Sequence, residues 1–295
     1  MVDAKLQTLL TVIDTQSFTK AAQKLALSQP AVSHHMRLLE EEFGVRIFFK
    51  DKKELKLTPE GEILAQYARR AVVLEANAHQ EIADSRREIK HLNIGITPTS
   101  GENRVPQVLA TYCGQHPHTH INIVTGTIKK LYEKLKDYEL DLAIVEGSIP
   151  GENLTKVLLD TDYLCLIVSP EHPLAHCSSV SMGQLRGEKF ILRTTQAGTR
   201  QLFENFLISR GDHIKNYNIM MEIDNVSTIK ELVSLDLGVS IIGHSACKEE
   251  ERNGSLKVIA LENSSMMREI SIVHHQDFIH TDVLEDIRQI YQGVQ

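Results

Sequence analysis

Apolar positions in the first sixty residues fall into helical steps. Residues 3–14 carry Leu6, Leu9, Leu10 and Ile13 on one side, which predicts an amphipathic helix. In residues 17–40, SFTKAAQKLALSQPAVSHHMRLLE, the residues Ala21, Ala22 and Leu25 give a second, short helix a small-residue face. Ser28 suits an N-cap, and Pro30 stands where a first-turn proline is tolerated. From there Val32, Met36 and Leu39 recur at helical spacing and face inward. Gln29, Ser33, His34 and Arg37 then lie on the outer side, near the start of the third helix. This is the layout of a helix-turn-helix, whose second helix enters the DNA major groove.

An ordinary pair of packed helices has the same periodicity, so the flanks decide. Residues 45–57, VRIFFKDKKELKL, alternate as a small two-stranded wing. Lys50, Lys52 and Lys53 cluster at its tip, where they suit phosphates or a minor groove. Three helices and a basic wing make a winged helix-turn-helix, with double-stranded DNA as partner.

Residues 59–89 read as one long helix. Ile63, Tyr67, Ala71, Leu74, Ala78 and Ile82 step by 4, 4, 3, 4 and 4, a seam like that of a coiled coil. Some thirty residues make roughly 45 Å of helix. A small head cannot cover that seam, so it is expected to pair with a second copy. A dimer sets two heads on one DNA face and predicts an interrupted inverted repeat as target. A solvated connector helix is the alternative.

The texture then changes to strands alternating with helices. Strands are expected at 91–96, 120–125 and 140–145, with helices at 101–115 and 128–137. A second half has strands at 163–168, 189–192, 219–223 and 239–242 and helices at 199–210 and 226–236. A strand at 269–274 and a helix at 280–292 close the chain. The alternation predicts an α/β fold with a parallel sheet, in two similar halves about a hinged cleft.

Ligands of open α/β sheets bind beyond the carboxyl ends of strands, near helix N-termini. That rule selects Thr97, Thr99, Ser100 and Glu146 in the first half, with Pro98, Gly147 and Ser148 beside them. In the second half it selects Arg193, Thr195, Gly198, Thr199, Arg200, Asn225 and Val226. The plainer reading makes Thr99, Thr199 and Ser227 simple N-caps. Hydroxyls, Arg200 and helix dipoles favour a small-molecule effector that is an anion: a sulfur oxyanion, a phosphate ester or a short carboxylate. Glu146 opposes this, since it repels an anion or binds an amine. Arg104 has the alternative of pairing with a carboxylate of the protein.

Charge changes the picture only once it is divided. The 295 residues carry a formal net charge of −7. Residues 1–58 hold 9 Lys+Arg against 7 Asp+Glu, so the head is weakly basic and the acidity lies elsewhere. Met1 leads into a mixed polar helix with no leader peptide, and no apolar run reaches the ~20 residues of a membrane span. A cytoplasmic protein without membrane contact is expected. Cys113, Cys165, Cys177 and Cys247 are scattered without a CxxC pair and read as reduced thiols. Residues 238–243, GVSIIG, miss GxSxG by one residue and lie in an expected strand. His116, His118 and His120 would share a face if extended, but no acidic or cysteine partner is near, so a surface loop is preferred over a metal site. No catalytic residue, cofactor or metal is expected, and the chain does not read as an enzyme.

The run from Phe18 to Gly61 resembles the N-terminal domain of LysR-type transcriptional regulators. The shared elements are Ala21-Ala22, Leu25, Ser28-Gln29-Pro30-Ala31-Val32-Ser33, Leu39-Glu40, Gly44, Phe48-Phe49 and Thr58-Pro59-Glu60-Gly61. The resemblance implies that Gln29, Pro30 and Ser33 approach base edges. Many members carry arginine at the position of His34, which cannot make the bidentate contact of arginine to guanine. The segment ILRTTQAGTR also resembles one found near the ligand in this family. The implied organisation is a winged head at 1–58, a linker and dimerisation helix at 59–90, and a periplasmic-binding-protein-like effector domain at 91–295. Its first lobe would span 91–160 and 268–295, its second 161–267. Such a protein works as a homodimer or homotetramer.

Overall fold

The computed structural model describes residues 2–51, 54–86, 89–147, 153–263 and 266–293, with backbone alone at Lys50. The chain divides into two compact units, Met1–Lys90 with Asp137–Glu139, and His91–Lys136 with Leu140–Gln295.

The first unit contains α1 (Ala4–Thr15), α2 (Phe18–Lys24), α3 (Gln29–Phe43), β1 (Phe48–Asp51), β2 (Glu54–Leu57) and α4 (Pro59–Ser85). Asp3, Ser17, Ser28 and Thr58 each cap a helix by accepting a first-turn backbone N–H. Leu9, Val12, Ala21, Ala22, Val32, Met36, Leu39 and Ile47 form its core with Leu64 and Ala68 of α4. The tight join between α2 and α3 holds Ala26 at φ 54, in the left-handed region that a side chain disfavours. Gly44 ends α3 at φ 66, and Glu40 accepts the Ile47 N–H at 2.9 Å, which ties the helix to the wing. β1 and β2 pair antiparallel from Phe48 opposite Leu57 to Asp51 opposite Glu54.

α4 has 27 residues, roughly 40 Å, and stops at Ser85 where a helix to residue 89 was expected. Leu64, Ala65 and Ala68 are buried, whereas Ile63, Tyr67, Leu74 and Ile82 are 45–62% exposed. The expected seam is therefore left bare by the rest of this unit.

The second unit runs β3 (Lys90–Ile96), α5 (Pro98–Gly101), α6 (Val105–Gln115), β4 (Thr119–Thr125), α7 (Ile128–Lys136), β5 (Leu142–Glu146), β6 (Leu154–Val168), β7 (Ser179–Val180), β8 (Lys189–Arg193) and α8 (Gly198–Ser209). It continues with β9 (Asn218–Ile223), α9 (Val226–Ser234), β10 (Ser240–Gly243), α10 (Lys248–Asn253), β11 (Lys257–Leu261), β12 (Met267–His275) and α11 (Thr281–Gly293). The expected helix 101–115 begins only at Val105, as α6, and the short α5 precedes it.

One sheet has the order β4-β3-β5-β12-β6-β11-β7, with β10 also on β6, and β8 pairs with β9 apart from it. β3–β5 and β8–β9 are parallel, as the alternation of elements led one to expect. β12 runs antiparallel to both β5 and β6, so the sheet is mixed. The reason is topological. β6 carries the chain out of the first half and β12 brings it back, so the two crossing strands point opposite ways. Leu159 belongs to the first apolar core and Leu164 to the second, so the outward crossing lies between them. On the return Met266 is in the second core and Ile270 in the first. β6 is fifteen residues long, against an expected strand at 163–168 alone. Its early part pairs with β12 from residue 275 back to 267, a contact no local pattern announces.

Candidate functional site

On α3 the residues Ser28, Gln29, Pro30, His34 and Arg37 are exposed and Ser33 is half-buried. Val32, Met36 and Leu39 on the opposite face hold the helix to the core. The polar residues bond only to near neighbours. Gln29 Nε2 donates to Ser33 Oγ at 2.9 Å, Arg37 Nη2 lies 3.2 Å from His34 Nδ1, and Arg37 Nε lies 3.5 Å from Glu41. Such contacts exchange easily for contacts to bases and phosphates. At the wing Lys56 is bound to Asp51 at 2.6 Å. Lys52, Lys53 and the Lys50 side chain lie outside the described residues.

In the second unit β3 and β5 are adjacent and parallel, so Thr97 and Gly147 emerge at the same edge. Thr97 caps α5 by accepting the Ser100 N–H at 3.1 Å. Its own hydroxyl donates to Glu146 Oε2, and Ser100 Oγ donates to Oε1 of the same carboxylate at 2.5 Å. Glu146 is 3% exposed, and among the described residues no cation is in ion-pair contact with it. Thr99 is buried beside this cluster. Gly147, at φ 102, turns the chain away, and Ser148 lies outside the described residues.

The second half contributes differently. A Cβ at Gly198 would lie 3.5 Å from Ile128 Cδ1, and one at Gly147 would lie 4.0 Å from the same atom. Loops from the two halves thus converge on one side chain of α7. α8 begins after Ala197 without a side-chain cap, so among the described residues its first N–H groups have no capping acceptor. Thr199 accepts from Arg268 Nη1 at 3.1 Å. Arg200, expected to attract an anion, is turned into its own half. It meets Glu204 at 2.5 Å, Glu222 at 3.0 Å and the Arg193 carbonyl at 3.1 Å. Arg193 is buried and pairs with Asp224 at 3.1 Å, while Thr195 is exposed. Asn225 caps α9 by accepting the Thr228 N–H at 2.8 Å, and Val226 is buried. The helix caps are therefore Thr97, Ala197 and Asn225, and the capping alternative fails for Thr99 and Thr199, which lie inside their helices. It fails for Ser227 as well, whose hydroxyl donates to Glu102 at 2.8 Å.

Several residues here escaped the sequence reading. Arg268 reaches Asp162 at 2.8 Å, both almost fully buried, and Ser245 N–H joins the same carboxylate at 2.9 Å. Gly243 lies so close under this pair that a Cβ would collide with the guanidinium and the carboxylate. Lys230 bridges Glu102 of the first half, at 3.3 Å, and Glu250 of the second, at 2.7 Å. Apart from Lys230 with Glu250, these pairings join residues about 80 to 130 positions apart, and no spacing rule signals them. Arg104 takes its internal alternative, bound to Asp160 at 2.7 Å and lying 3.9 Å from the Tyr291 ring centroid. His116 stacks on Tyr112 and pairs with Asp286 at 3.3 Å, while His120 lies beside His91. Cys165 and Cys247, distant in sequence, touch at 3.9 Å in the core. Their mutual contact and burial push the Cys165 thiol well above the ordinary range, which keeps it protonated and unreactive.

A winged unit with a polar recognition helix, followed by a two-lobed α/β unit of the substrate-binding kind, defines a DNA-binding regulator with an effector domain. The family models place it further. "Bacterial regulatory helix-turn-helix protein, lysR family" matches residues 4–62, and "LysR substrate binding domain" matches residues 85–294. The chain belongs to the LysR family of transcriptional regulators, which are not enzymes. It is 29% identical over 270 residues to the HTH-type transcriptional regulator CysL of Bacillus subtilis (strain 168), covering 91% of this chain and 89% of that one. It is 30% identical over 277 residues to the probable RuBisCO transcriptional regulator of Emiliania huxleyi, covering 91% and 87%. The fold is similar to that of full-length CbnR complexed with its target DNA, with a TM-score of 0.68 over 98% of both chains at 16% identity.

Proposed function

We propose that the chain acts in the cytoplasm as a dimer or tetramer, reads an interrupted inverted repeat with α3, and answers to a small molecule held between the two lobes of residues 91–295. The head would be residues 1–58 and the pairing helix residues 59–90. The observation that carries this reading is the outer face of α3, where Gln29, Pro30, His34 and Arg37 are exposed and Ser33 half-buried above a helix locked by its apolar side. The bare seam of Ile63, Tyr67, Leu74 and Ile82 supports pairing with a second copy. No described helix is long and apolar enough to cross a membrane.

For the effector, the anionic character expected from sequence keeps one place in this geometry, the uncapped N-terminus of α8. The hydroxyls of Thr97 and Ser100 are committed to Glu146. The effector must bind one arrangement of the lobes more tightly than another to alter DNA binding. The test is selection of bound duplexes from a random pool by the full chain. Recovered sequences with two inverted half-sites at a fixed separation are expected. Single half-sites would remove the dimer reading, and no enrichment would remove sequence-specific reading altogether.

A further inference from the structure

Thr97, Ser100 and Glu146 form a cluster whose proton traffic runs one way. A hydroxyl has one proton to give. Both hydroxyl protons are directed at Glu146, one to each oxygen. What this cluster has left for a ligand is lone pairs: one on Thr97, whose other accepts the Ser100 N–H, those of Ser100, and the remaining acceptor positions of the carboxylate. It offers acceptors only. The buried and half-buried cations described above do not reverse that. Arg193, Arg200, Lys230 and Arg268 each already face a carboxylate, Arg200 and Lys230 two apiece. Glu146 is the buried acid left without a cation among the described residues. A buried carboxylate with only neutral donors is incompletely compensated, and a donor group from outside makes a strong, charge-assisted bond to it.

Resting on the effector reading above, we propose that Glu146 is the specificity-determining residue of the site. It admits an effector that presents a hydrogen-bond donor, an ammonium or a hydroxyl, and rejects one that presents a carboxylate or other deprotonated oxyanion at that end. The remainder of the effector is free to be acidic, with the first turn of α8 as its counterpart. Glu146→Gln should weaken the selection. The amide nitrogen donates, so one of the two hydroxyls must turn to accept from it and its proton is released toward the ligand.

The experiment is a thermal-shift and calorimetric comparison of the full chain and its Glu146→Gln variant. The probes are β-alanine, 3-hydroxypropionate and succinate, which share one carboxylate and differ at the other end, within a broad panel of amines, hydroxy acids and dicarboxylates. A compound that binds the native state raises the melting temperature by mass action. Compounds that stabilise the wild type are expected to carry the donor, and to lose tenfold or more in affinity in the variant. The ammonium and hydroxyl members of the panel tell the two donor sources apart. The wild-type ranking needs no variant, so a poorly folded Glu146→Gln protein would not decide the matter. Stabilisation of the wild type by donor-free acids alone, or equal binding by both proteins, would overturn the role of Glu146 and leave the effector reading standing. If no compound binds while the chain still binds DNA, the effector reading falls, and this proposal with it.

Discussion

The winged unit and the two-lobed unit present their polar residues in opposite ways. On α3 they are mostly exposed and bonded three or four residues away, as in Gln29 to Ser33 and Arg37 to His34. In the two-lobed unit they are buried and tied across the chain, as in Ser100 to Glu146, Arg268 to Thr199 and Arg268 to Asp162. On the proposed function the difference follows from the size of the partner. DNA is a large polyanion that can be read by an exposed helix face with its scaffold behind it. A small molecule is bound by being enclosed, so its neighbours also hold the lobes in shape. Function and stability are separable in the first case and entangled in the second.

That contrast can be broken at named positions. The largest effect is expected at Gly243, where a methyl group would force Arg268 and Asp162 apart. Separating a buried pair costs about 3–5 kcal/mol. Gly243→Ala should therefore lower the melting temperature of the effector unit by on the order of 10 °C. A melting curve like the wild type's would mean the pair rearranges freely and the lobes are not entangled as argued. The smallest effect is expected at Ala26. Its left-handed conformation costs roughly 1–2 kcal/mol in a residue with a side chain. Glycine relieves this but makes the unfolded chain more flexible, at a cost of about 0.4–1 kcal/mol. Ala26→Gly should stabilise the winged unit by less than about 1 kcal/mol, read from its denaturant midpoint. A loss of stability there would show that the join is not strained.

The same contrast explains what could be read from the residues alone. The winged unit is built from local signals. The caps Ser28 and Thr58, the apolar steps Val32, Met36 and Leu39, and the Gly44 stop all lie within a few turns of what they organise. In the two-lobed unit the strands with dense apolar runs, such as β5 and β8, were legible. The first half of β6 was not, because Leu154–Asp162 mixes threonine, lysine and aspartate with its apolar residues and becomes a strand by pairing with β12. The site followed the same rule. Strand-end reasoning led to Thr97, Ser100 and Glu146, which the fold brings together. It also led to Arg200, whose partner Glu222 lies on β9 and turns it inward. Arg268 and Lys230 were missed because their partners are set by the crossing of the lobes.

The most direct test of DNA reading by α3 is Ser33→Ala, measured on a selected duplex and on a scrambled duplex of equal length and salt. On the proposed reading Ser33 approaches a base edge, and it carries no charge, so removing its hydroxyl should act on sequence reading alone. A loss of about tenfold on the selected duplex, with affinity for the scrambled one and the melting temperature unchanged, is the expected result. An equal loss on both duplexes, or none on either, would contradict the assignment of α3 as the element that reads the operator.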